Sequence, residues 1–268
     1  MPELPEVETI RRSLLENVGA VIKDIKFRRT DIIKAQDYEP ASVIGQHIRE
    51  IRRRGKYLIM ELEPGYTLVV HLGMTGRFYM QDENAEISAS HVHMVISLDN
   101  GYKLIYLDPR RFGGVRFLTD PECIFCRMGR EPLSPEFTDR YLQEICRDRK
   151  VAIKTLLLNQ HCIAGIGNIY ADEALFDARI RPDRPAGSLR PAEIKRLRKA
   201  IVKVLQASIN QRGTTFRDFR DGYNKSGEFQ ELLQVYGKTD CPCKICGQIL
   251  KKDVIGGRSS HYCEHCQK

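Results

Sequence analysis

The first residues of the chain have apolar positions at helical spacing. Within residues 3–15, Val7, Ile10 and Leu14 fall on one face, and Pro5 stands where a first helical turn tolerates proline. This pattern predicts a helix at the start of the chain.

The spacing then changes to short runs rich in β-branched and aromatic residues. The clearest runs are KYLIMEL at 56–62, YTLVVHL at 66–72, HVHMVISL at 91–98 and YKLIYL at 102–107. Turn sequences separate them, such as Pro64-Gly65 and Asp99-Asn100-Gly101. Closely spaced strands joined by hairpin turns predict an antiparallel β-sandwich or barrel.

The pattern becomes helical after about residue 120. Pro121, Pro132 and Pro135 punctuate a connecting segment, and residues 191–209 place apolar side chains on one stripe of a helix. We therefore expect an α+β protein of several domains. The predicted domains are a β-sandwich with a flanking helix at 1–131, a helical domain at 132–235 and a zinc-binding hairpin at 236–268.

Charge adds a candidate partner to this picture. The formal net charge is +8, and residues 1–131 are balanced, so the whole excess lies in 132–268. A basic half suits a polyanion such as nucleic acid, although a solvated basic face without a ligand explains the charge equally well. No apolar run approaches the ~20 residues of a membrane helix, and the acidic start does not resemble a signal peptide. We expect a cytoplasmic protein without a membrane partner.

Four of the nine cysteines have the spacing of a zinc ribbon. Two C-x2-C pairs are separated by sixteen residues, and the predicted ligands are Cys243, Cys246, Cys263 and Cys266. Four protein ligands leave no position for water, so one structural Zn²⁺ is expected, with Cys241, His261 and His265 as non-ligands. The remaining cysteines, expected to be reduced structural thiols, are Cys123, Cys126, Cys146, Cys162 and Cys241.

The start of the chain offers a second piece of chemistry. Removal of Met1 would expose Pro2 as a secondary α-amine, whose pKa of roughly 8 leaves a useful fraction unprotonated near neutral pH. Attack of that amine on a sugar carbon gives an iminium cation, and Glu3 could supply a proton. From these residues alone, a helix cap and a first-turn charge are the simpler interpretation.

The opening MPELPEVET at 1–9 resembles that of the formamidopyrimidine-DNA glycosylases, and further matches run the full length of the chain. The resemblance implies that Pro2 is the nucleophile, Glu3 the acid and Glu6 a supporting carboxylate. Lys56, in RRGKYL, would lie near the lesion phosphate and assist β-elimination.

The resemblance also implies a set of DNA contacts in the first half. In HLGM at 71–74, His71 would contact a phosphate and Met74 would fill the gap left by an everted base. In SHVH at 90–93, His91 would contact DNA. In DPRRFG at 108–113, Arg110 would face the unpaired base, Arg111 would hold the backbone and Phe112 would wedge the base stack. A base must leave the stack before its C1′ can be reached, at a cost of a few kcal/mol.

In the second half, KVAIK at 150–154 and AGIGNIYADEALF at 164–176 resemble the family's helix–two-turns–helix element. Lys150 would contact DNA, Lys154 is a weaker candidate, and Asn168 would open the second helix. RGTTFRDF at 212–219, followed by DGYNKSGEFQ at 221–230, matches the region that covers the flipped base. Arg258, on the zinc hairpin, would contact DNA and assist δ-elimination.

The resemblance implies a base-excision-repair glycosylase and AP lyase that removes oxidised purines from damaged double-stranded DNA through a Schiff base at Pro2. We expect one structural zinc ion, no small-molecule cofactor and a monomer. One alternative is an oxidised-pyrimidine glycosylase of the endonuclease VIII type, against which Leu4 and the DPRRFG sequence argue. The other is a zinc-bearing DNA-binding protein without catalysis.

Overall fold

A computed structural model describes residues 1–63, 65–216 and 219–268 of the chain. Pro64 of one predicted turn, and Arg217 and Asp218 of the predicted lesion-covering loop, lie outside the described residues. The described residues form two compact units. The first is Met1–Cys126 with Gln211–Gln230, and the second is Arg127–Asn210 with Glu231–Lys268. The division into domains at 131 and 235 stays a prediction.

The first unit contains two short helices and nine strands within the described residues. Helix α1 spans Leu4–Leu14, as its periodicity predicts, and α2 spans Glu122–Phe125. The strands are β1 Ile22–Phe27, β2 Ile33–Gln36, β3 Ile48–Arg54, β4 Tyr57–Leu62, β5 Tyr66–His71, β6 Arg77–Asp82, β7 Val92–Leu98, β8 Tyr102–Leu107 and β9 Gly114–Leu118. Short 3₁₀ helices of this unit lie at Leu15–Asn17 and Pro40–Val43. A third, Ala186–Ser188, belongs to the second unit, and a fourth, Phe229–Glu231, lies at the boundary between the two units.

These strands form a two-sheet sandwich. One sheet has the order β2-β9-β5-β4-β3 and the other β1-β7-β8-β6. All neighbours are antiparallel except β2 and β9, which run parallel. The apolar core between the sheets contains side chains from both, such as Met60 and Phe117 from one and Phe78 and Ile96 from the other. Ile10 of α1 packs into the same core. The predicted sandwich with a flanking helix is confirmed.

The second unit is helical and ends in a hairpin. Its helices are α3 Asp139–Cys146, α4 Ile153–Leu158, α5 Asn168–Asp177 and α6 Pro191–Asn210, and its strands are β10 Lys251–Ile255 and β11 Arg258–Tyr262. The stripe predicted for 191–209 is the buried face of α6, which packs against α3 and α5. No helix in the described part of the chain has the length and apolar character needed to cross a membrane.

Candidate active site and zinc centre

The start of the chain is fixed inside the first unit. Met1 is 51% exposed, whereas Pro2 is buried and Glu3 is only 3% exposed. Helix α1 begins directly after Glu3. The Glu3 side chain accepts a hydrogen bond from the backbone of Glu6, and Glu6 Oε2 accepts one from Glu3 N at 2.8 Å. This reciprocal capping box holds the backbone beside Pro2 in one conformation.

Glu6 also connects the start of the chain to residues 211–230. Its Oε1 accepts a hydrogen bond from Thr214 N at 2.8 Å, and its side chain is buried. Gly213, the preceding residue, has a φ of +81°, and a Cβ there would lie 3.1 Å from Glu6 Oε1. Glycine fits this position because the backbone is left-handed and the carboxylate is close.

The segment 211–230 is itself organised around a buried acid. Asp221 Oδ1 accepts hydrogen bonds from Tyr223 N at 3.0 Å and Lys225 N at 2.8 Å, and its other oxygen pairs with Arg212. Tyr223 OH donates to Glu16 Oε1 at 2.7 Å, just beyond helix α1. The segment that the family resemblance relates to base recognition is therefore attached to the helix that follows Pro2.

Lys56 and His71 lie at the same end of one strand pair. Lys56 is 8% exposed in the turn before β4, and the next residue, Tyr57, pairs in register with His71 of β5. The Tyr57 and His71 rings are 4.6 Å apart. Burial, followed by the positive charges of Arg116 and Lys56, lowers the pKa of His71 to about 4. Its imidazole is therefore neutral near pH 7.

Asp108 joins three segments of the sandwich. Its side chain is fully buried and accepts hydrogen bonds from Thr75 Oγ1 at 2.5 Å and Gly113 N at 2.9 Å. Its backbone N donates to His91 O at 3.2 Å. The turn containing Thr75 and the loop 108–113 therefore meet at the Asp108 carboxylate, and the start of β7 is joined to the same residue through its backbone.

This junction displays three of the predicted DNA contacts together. Phe112 is 63% exposed and Met74 is 42% exposed, and the Arg110 guanidinium carbon lies 5.2 Å from the centre of the Phe112 ring. Gly73 has a φ of +60°, and a Cβ there would lie 2.4 Å from Gly113 N. The two backbones touch, which brings Met74 beside the loop that carries Arg110 and Phe112. Phe112 is not a core residue.

Arg111 and His91 flank this surface. Both have left-handed backbones, with φ of 56° and 59°, and both are exposed. Arg111 Nη1 lies 2.7 Å from Asp31 Oδ2. An exposed pair of this kind contributes at most about 1 kcal/mol, so Arg111 can exchange Asp31 for another anion at little cost.

In the second unit, hydrogen bonds of the Gln160 side chain stabilise the turns between α4 and α5. Gln160 Oε1 accepts from Gly165 N at 2.8 Å, and its Nε2 donates to Ile166 O at 2.8 Å. Asn168 is the first residue of α5, as predicted, and its buried Oδ1 has no hydrogen-bond partner among the described residues. Lys150 is exposed just before α4.

Lys154 does not reach the surface, so its prediction as a DNA contact is wrong. It is fully buried, with Nζ 2.7 Å from Asp172 Oδ1 and 2.6 Å from Ser259 O. Asp172 Oδ2 in turn accepts from His261 N at 2.9 Å. These contacts attach the hairpin strand β11 to α4 and α5, which makes Lys154 an internal support of the hairpin.

The hairpin tip carries Arg258 on the surface. Arg258 pairs with Ile255 across the turn and is exposed. Gly256 has a φ of +57°, and a Cβ there would lie 2.5 Å from Thr155 Oγ1, so the tip rests on α4. Arg258 is thus held at a defined place relative to the helical unit.

The four predicted zinc ligands form one cluster. Their sulfur atoms all lie within 4.8 Å of one another, with 3.9 Å between Cys243 and Cys266 and 3.5 Å between Cys246 and Cys263. Tetrahedral zinc about 2.3 Å from each sulfur requires sulfurs about 3.8 Å apart. The cluster fits one structural Zn²⁺ held by four cysteines. Among the described residues, it includes none of the other nearby thiol and imidazole groups.

Family comparisons agree with this arrangement. Residues 1–115 match the formamidopyrimidine-DNA glycosylase N-terminal domain, residues 128–220 the formamidopyrimidine-DNA glycosylase H2TH domain, and residues 242–268 a zinc finger found in FPG and IleRS. These models, in this order along one chain, are those of a DNA-repair glycosylase. The chain belongs to the formamidopyrimidine-DNA glycosylase family.

Individual relatives match over the full length. The formamidopyrimidine-DNA glycosylase of Syntrophomonas wolfei is 56% identical over 268 residues, covering 100% of both chains. The Lactococcus lactis enzyme in complex with Fapy-dG-containing DNA has a TM-score of 0.90 at 34% identity, covering 99% of this chain and 100% of that one. The L. lactis enzyme with DNA containing an oxidised pyrimidine has a TM-score of 0.90 at 35% identity, covering 100% of both.

Some of the predicted site residues are thus grouped within each unit. The first unit brings four of them together around Asp108: Met74, His91, Arg110 and Phe112. The start of the chain, with Pro2 and Glu3, and the strand ends that carry Lys56 and His71 are described apart from that group. The second unit places Arg258 and the four cysteines on one hairpin. The residues that hold these segments in place, chiefly Asp108, Gln160 and Asp172, were not predicted from the sequence. The available signal for Asp108 is a lone acid directly after the apolar run 104–107.

Proposed function

We propose that this enzyme removes oxidised purines, among them formamidopyrimidines and 8-oxoguanine, from double-stranded DNA and then cleaves the strand. The name shared by its relatives and the Fapy-dG complex of its structural neighbour support the substrate class. The observation that carries the mechanism is the buried N-terminal turn, in which Glu6 binds the backbone of both Glu3 and Thr214. We further propose that the enzyme acts as a monomer and needs no small-molecule cofactor.

The first step is eversion of the damaged base. Phe112 enters the stack, Met74 occupies the space that the base leaves, and Arg110 faces the unpaired partner. Unstacking costs a few kcal/mol, and apolar wedges offset part of that cost. The exposed, adjacent placement of these side chains supports this assignment, because none of them must leave a core to act.

The second step is covalent. The lone pair of the Pro2 nitrogen attacks C1′, the bond from C1′ to the base breaks, and the base leaves with the bonding electrons and takes up a proton. The attacking nitrogen then loses its proton, and its lone pair forms the C=N bond as the C1′–O4′ bond breaks. Glu3 donates a proton to the departing O4′, so the sugar ring opens and an iminium cation remains. That cation withdraws electrons for β-elimination and then δ-elimination, with Lys56 and Arg258 assisting.

The remaining residues hold the DNA and the fold. Neutral His71 offers an N–H donor to a phosphate, and His91, Arg111 and Lys150 contact the backbone. The N-terminal end of α5, beginning at Asn168, presents backbone amides to a further phosphate. The zinc ion bound by the four cysteines is structural and keeps Arg258 in place.

Borohydride trapping tests the covalent step. Sodium borohydride should reduce the iminium and link the protein to an 8-oxoguanine duplex, and the modified peptide should begin with Pro2. An uncleaved N-terminal tag that retains Met1 should abolish trapping while duplex binding persists. The same protein, cut to begin at Pro2, is the matched control. Full activity with Met1 retained would refute the mechanism.

Substitutions test the two roles at the chain start separately. Pro2→Gly keeps a primary amine, so it should slow trapping without abolishing it. Glu3→Gln should lower the excision rate by roughly 10²–10⁴-fold, the usual size of a general acid's contribution. Glu63→Gln, at an exposed glutamate, should change neither rate.

One alternative substrate class has a specific observation in its favour. The L. lactis enzyme binds DNA containing an oxidised pyrimidine. Excision rates on matched 8-oxoguanine and thymine-glycol duplexes distinguish the two classes. Faster release of thymine glycol would identify an oxidised-pyrimidine glycosylase with the same chemistry.

A further inference from the structure

Two exposed cysteines lie on a single turn of helix α2. Cys123 and Cys126 are both exposed, whereas Cys146 is buried and the four zinc-binding cysteines are buried or half-buried. Cys241 is exposed as well, but it lies two residues before the zinc ligand Cys243. Cys123 and Cys126 are therefore an accessible pair of thiols that the zinc centre and the proposed reaction leave unused.

The helical turn brings the two thiols within reach of each other. Cys126 N donates to Glu122 O at 2.9 Å, which closes the turn, and Cys126 Sγ lies 3.6 Å from the backbone oxygen of Cys123. Residues three apart on a helix have Cα atoms about 5 Å apart. Cysteines joined by a disulfide have Cα atoms about 4.4–6.8 Å apart, so the backbone of this turn suits a disulfide.

Formation of a disulfide would tighten the turn. Side chains three residues apart on a helix have Cβ atoms about 5–6 Å apart. A disulfide holds its two Cβ atoms about 3.5–4.5 Å apart. Oxidation therefore draws the outer face of α2 together by roughly 1–2 Å, and the residues between the two cysteines move with it.

Phe125, which lies between the two cysteines, connects this turn to the strand pair β4 and β5. It is 4% exposed, and the centre of its ring lies 5.6 Å from that of Tyr57 in an edge-to-face contact. Tyr57 directly follows Lys56, and its ring is 4.6 Å from the ring of His71. A displacement of Phe125 therefore reaches, through the ring of Tyr57, the strand ends that carry Lys56 and His71.

We propose that Cys123 and Cys126 form a reversible oxidation site that slows strand cleavage when it is oxidised. The oxidant is a small-molecule disulfide such as glutathione disulfide. A pair of thiols at the surface is open both to this oxidant and to the thiols that reverse the reaction. Formation of the disulfide does not depend on the proposed function, whereas its effect on cleavage rests on the roles proposed for Lys56 and His71.

The reaction consists of two successive exchanges. The thiolate of one cysteine attacks a sulfur of the external disulfide, which forms a mixed disulfide and releases one thiolate. The thiolate of the second cysteine then attacks the protein sulfur of that mixed disulfide and releases the other half. The two protein thiols lose two electrons and two protons, and the external disulfide gains both and becomes two thiols.

Peptide mapping of the full-length, zinc-loaded enzyme tests the site. Trypsin releases both cysteines in one peptide, residues 117–127, because this peptide follows an arginine and ends in one. After treatment with glutathione disulfide, mass spectrometry should find the peptide lighter by two hydrogen atoms, and dithiothreitol should restore it. Cys241→Ser, which changes a different exposed thiol, should leave this result unchanged. Cys123→Ser should instead carry glutathione on Cys126.

Two readouts test the effect on the strand ends. The NMR signal of the His71 ring, assigned by its absence in His71→Gln, should shift on oxidation by more than its line width. Cleavage of a duplex that contains an abasic site should slow roughly tenfold, since displacing a catalytic group by ~1 Å costs up to about 100-fold. Phe125→Leu retains an apolar side chain without the ring, so the disulfide should still form while both effects become smaller.

Three results would overturn the proposal. The first is absence of the internal disulfide from peptide 117–127 of the oxidised wild type. The second is an unchanged His71 signal or cleavage rate in enzyme that carries the disulfide. The third is equal slowing in Cys123→Ser/Cys126→Ser, which would place the effect at other thiols such as the zinc ligands. A reduced enzyme without cleavage activity would refute the proposed function instead, and the peptide map and the His71 signal would still decide this proposal.

Discussion

His71 should make the stability of the first unit depend on pH within a defined range. Its pKa is lowered from 6.5 to about 4, chiefly by burial and then by Arg116 and Lys56. In the unfolded chain His71 has its ordinary pKa of 6.5, whereas in the folded chain its pKa is about 4. Between these two pH values, the unfolded chain therefore binds a proton that the folded chain does not. The stabilisation is therefore complete above pH 6.5 and is lost as the pH falls from 6.5 to 4.

The size of the effect follows from the shift. Each pKa unit corresponds to about 1.36 kcal/mol, so the full contribution is about 3.4 kcal/mol, and about 2.4 kcal/mol of it disappears between pH 7 and pH 4.5. A second shifted group of this unit acts at lower pH. The pKa of Glu8 is lowered to about 2 even though burial, the largest influence on it, acts to raise that pKa; hydrogen bonds and charge from Arg11, with help from Arg12 and Arg53, prevail. Its stabilisation is lost mainly below pH 4.5.

Two measurements check this expectation. An NMR titration of the His71 ring, assigned by its absence in His71→Gln, should have a midpoint near 4. Urea unfolding of wild type and His71→Gln should give free energies whose difference changes by about 2.4 kcal/mol between pH 7 and pH 4.5. Loss of zinc at low pH affects both proteins equally and cancels. His47→Gln, at an exposed histidine, is the control. A midpoint near 6.5, or a constant difference in free energy, would refute the reasoning.

Four further outcomes are expected. Asp108→Ala leaves buried donors without an acceptor and should lower the free energy of unfolding in urea by about 2–4 kcal/mol; a loss under about 0.5 kcal/mol would contradict its role as a junction. Phe112→Ala should change stability by less than about 0.5 kcal/mol yet slow excision at least roughly tenfold, unlike a core residue. Lys154→Ala leaves the Asp172 carboxylate buried without its cation and should cost about 3–5 kcal/mol in the same assay, whereas an accessible lysine would cost almost nothing. Chelation of zinc should abolish hydrogen-exchange protection in β10 and β11; unchanged protection would mean that the hairpin folds without metal.

Periodicity identified β4, β5, β7 and β8, whose sequences are the longest runs of apolar and β-branched residues in the first unit. It missed β1, β2, β3, β6 and β9, and β3 shows why. Its sequence IREIRRR has only two buried apolar residues, and its arginines look like a solvated charge run. In the structure, Arg49 and Arg52 pair with Glu61 of the neighbouring strand, and Arg53 lies 3.3 Å from Glu8 of α1. Ion pairs with residues outside the strand stabilise β3, and the local sequence pattern of β3 does not include those partners.

The site residues show the same limit. Spacing alone was enough for the zinc ligands, because the two cysteine pairs define the tetrahedron themselves. The arrangement of Met74, His91 and Phe112 could not be predicted, since it depends on three segments that meet at Asp108. Lys154 was the weaker of two candidate DNA contacts implied by the resemblance of KVAIK at 150–154 to the family's helix–two-turns–helix element. Its partner Asp172 is eighteen positions away, on another helix.

Buried acids, rather than the exposed residues of the motifs, hold separate segments of this fold together. Glu6 in the first unit, and Asp172 and Glu173 in the second, are each at most 3% exposed, and each accepts hydrogen bonds from backbone N–H groups of a distant segment. Asp108 is fully buried and accepts hydrogen bonds from Gly113 N of its own loop and from the hydroxyl of the distant Thr75. A carboxylate can bind two or three such groups at once, and its burial is too costly unless it does. Two of them could have been recognised from sequence, because the interior of helix α5, from Ile169 to Phe176, has no charged residues except Asp172 and Glu173. Charged residues on a helix without a polar face are buried, and a buried carboxylate needs hydrogen-bond donors. For a related sequence, the question is which loops supply those donors.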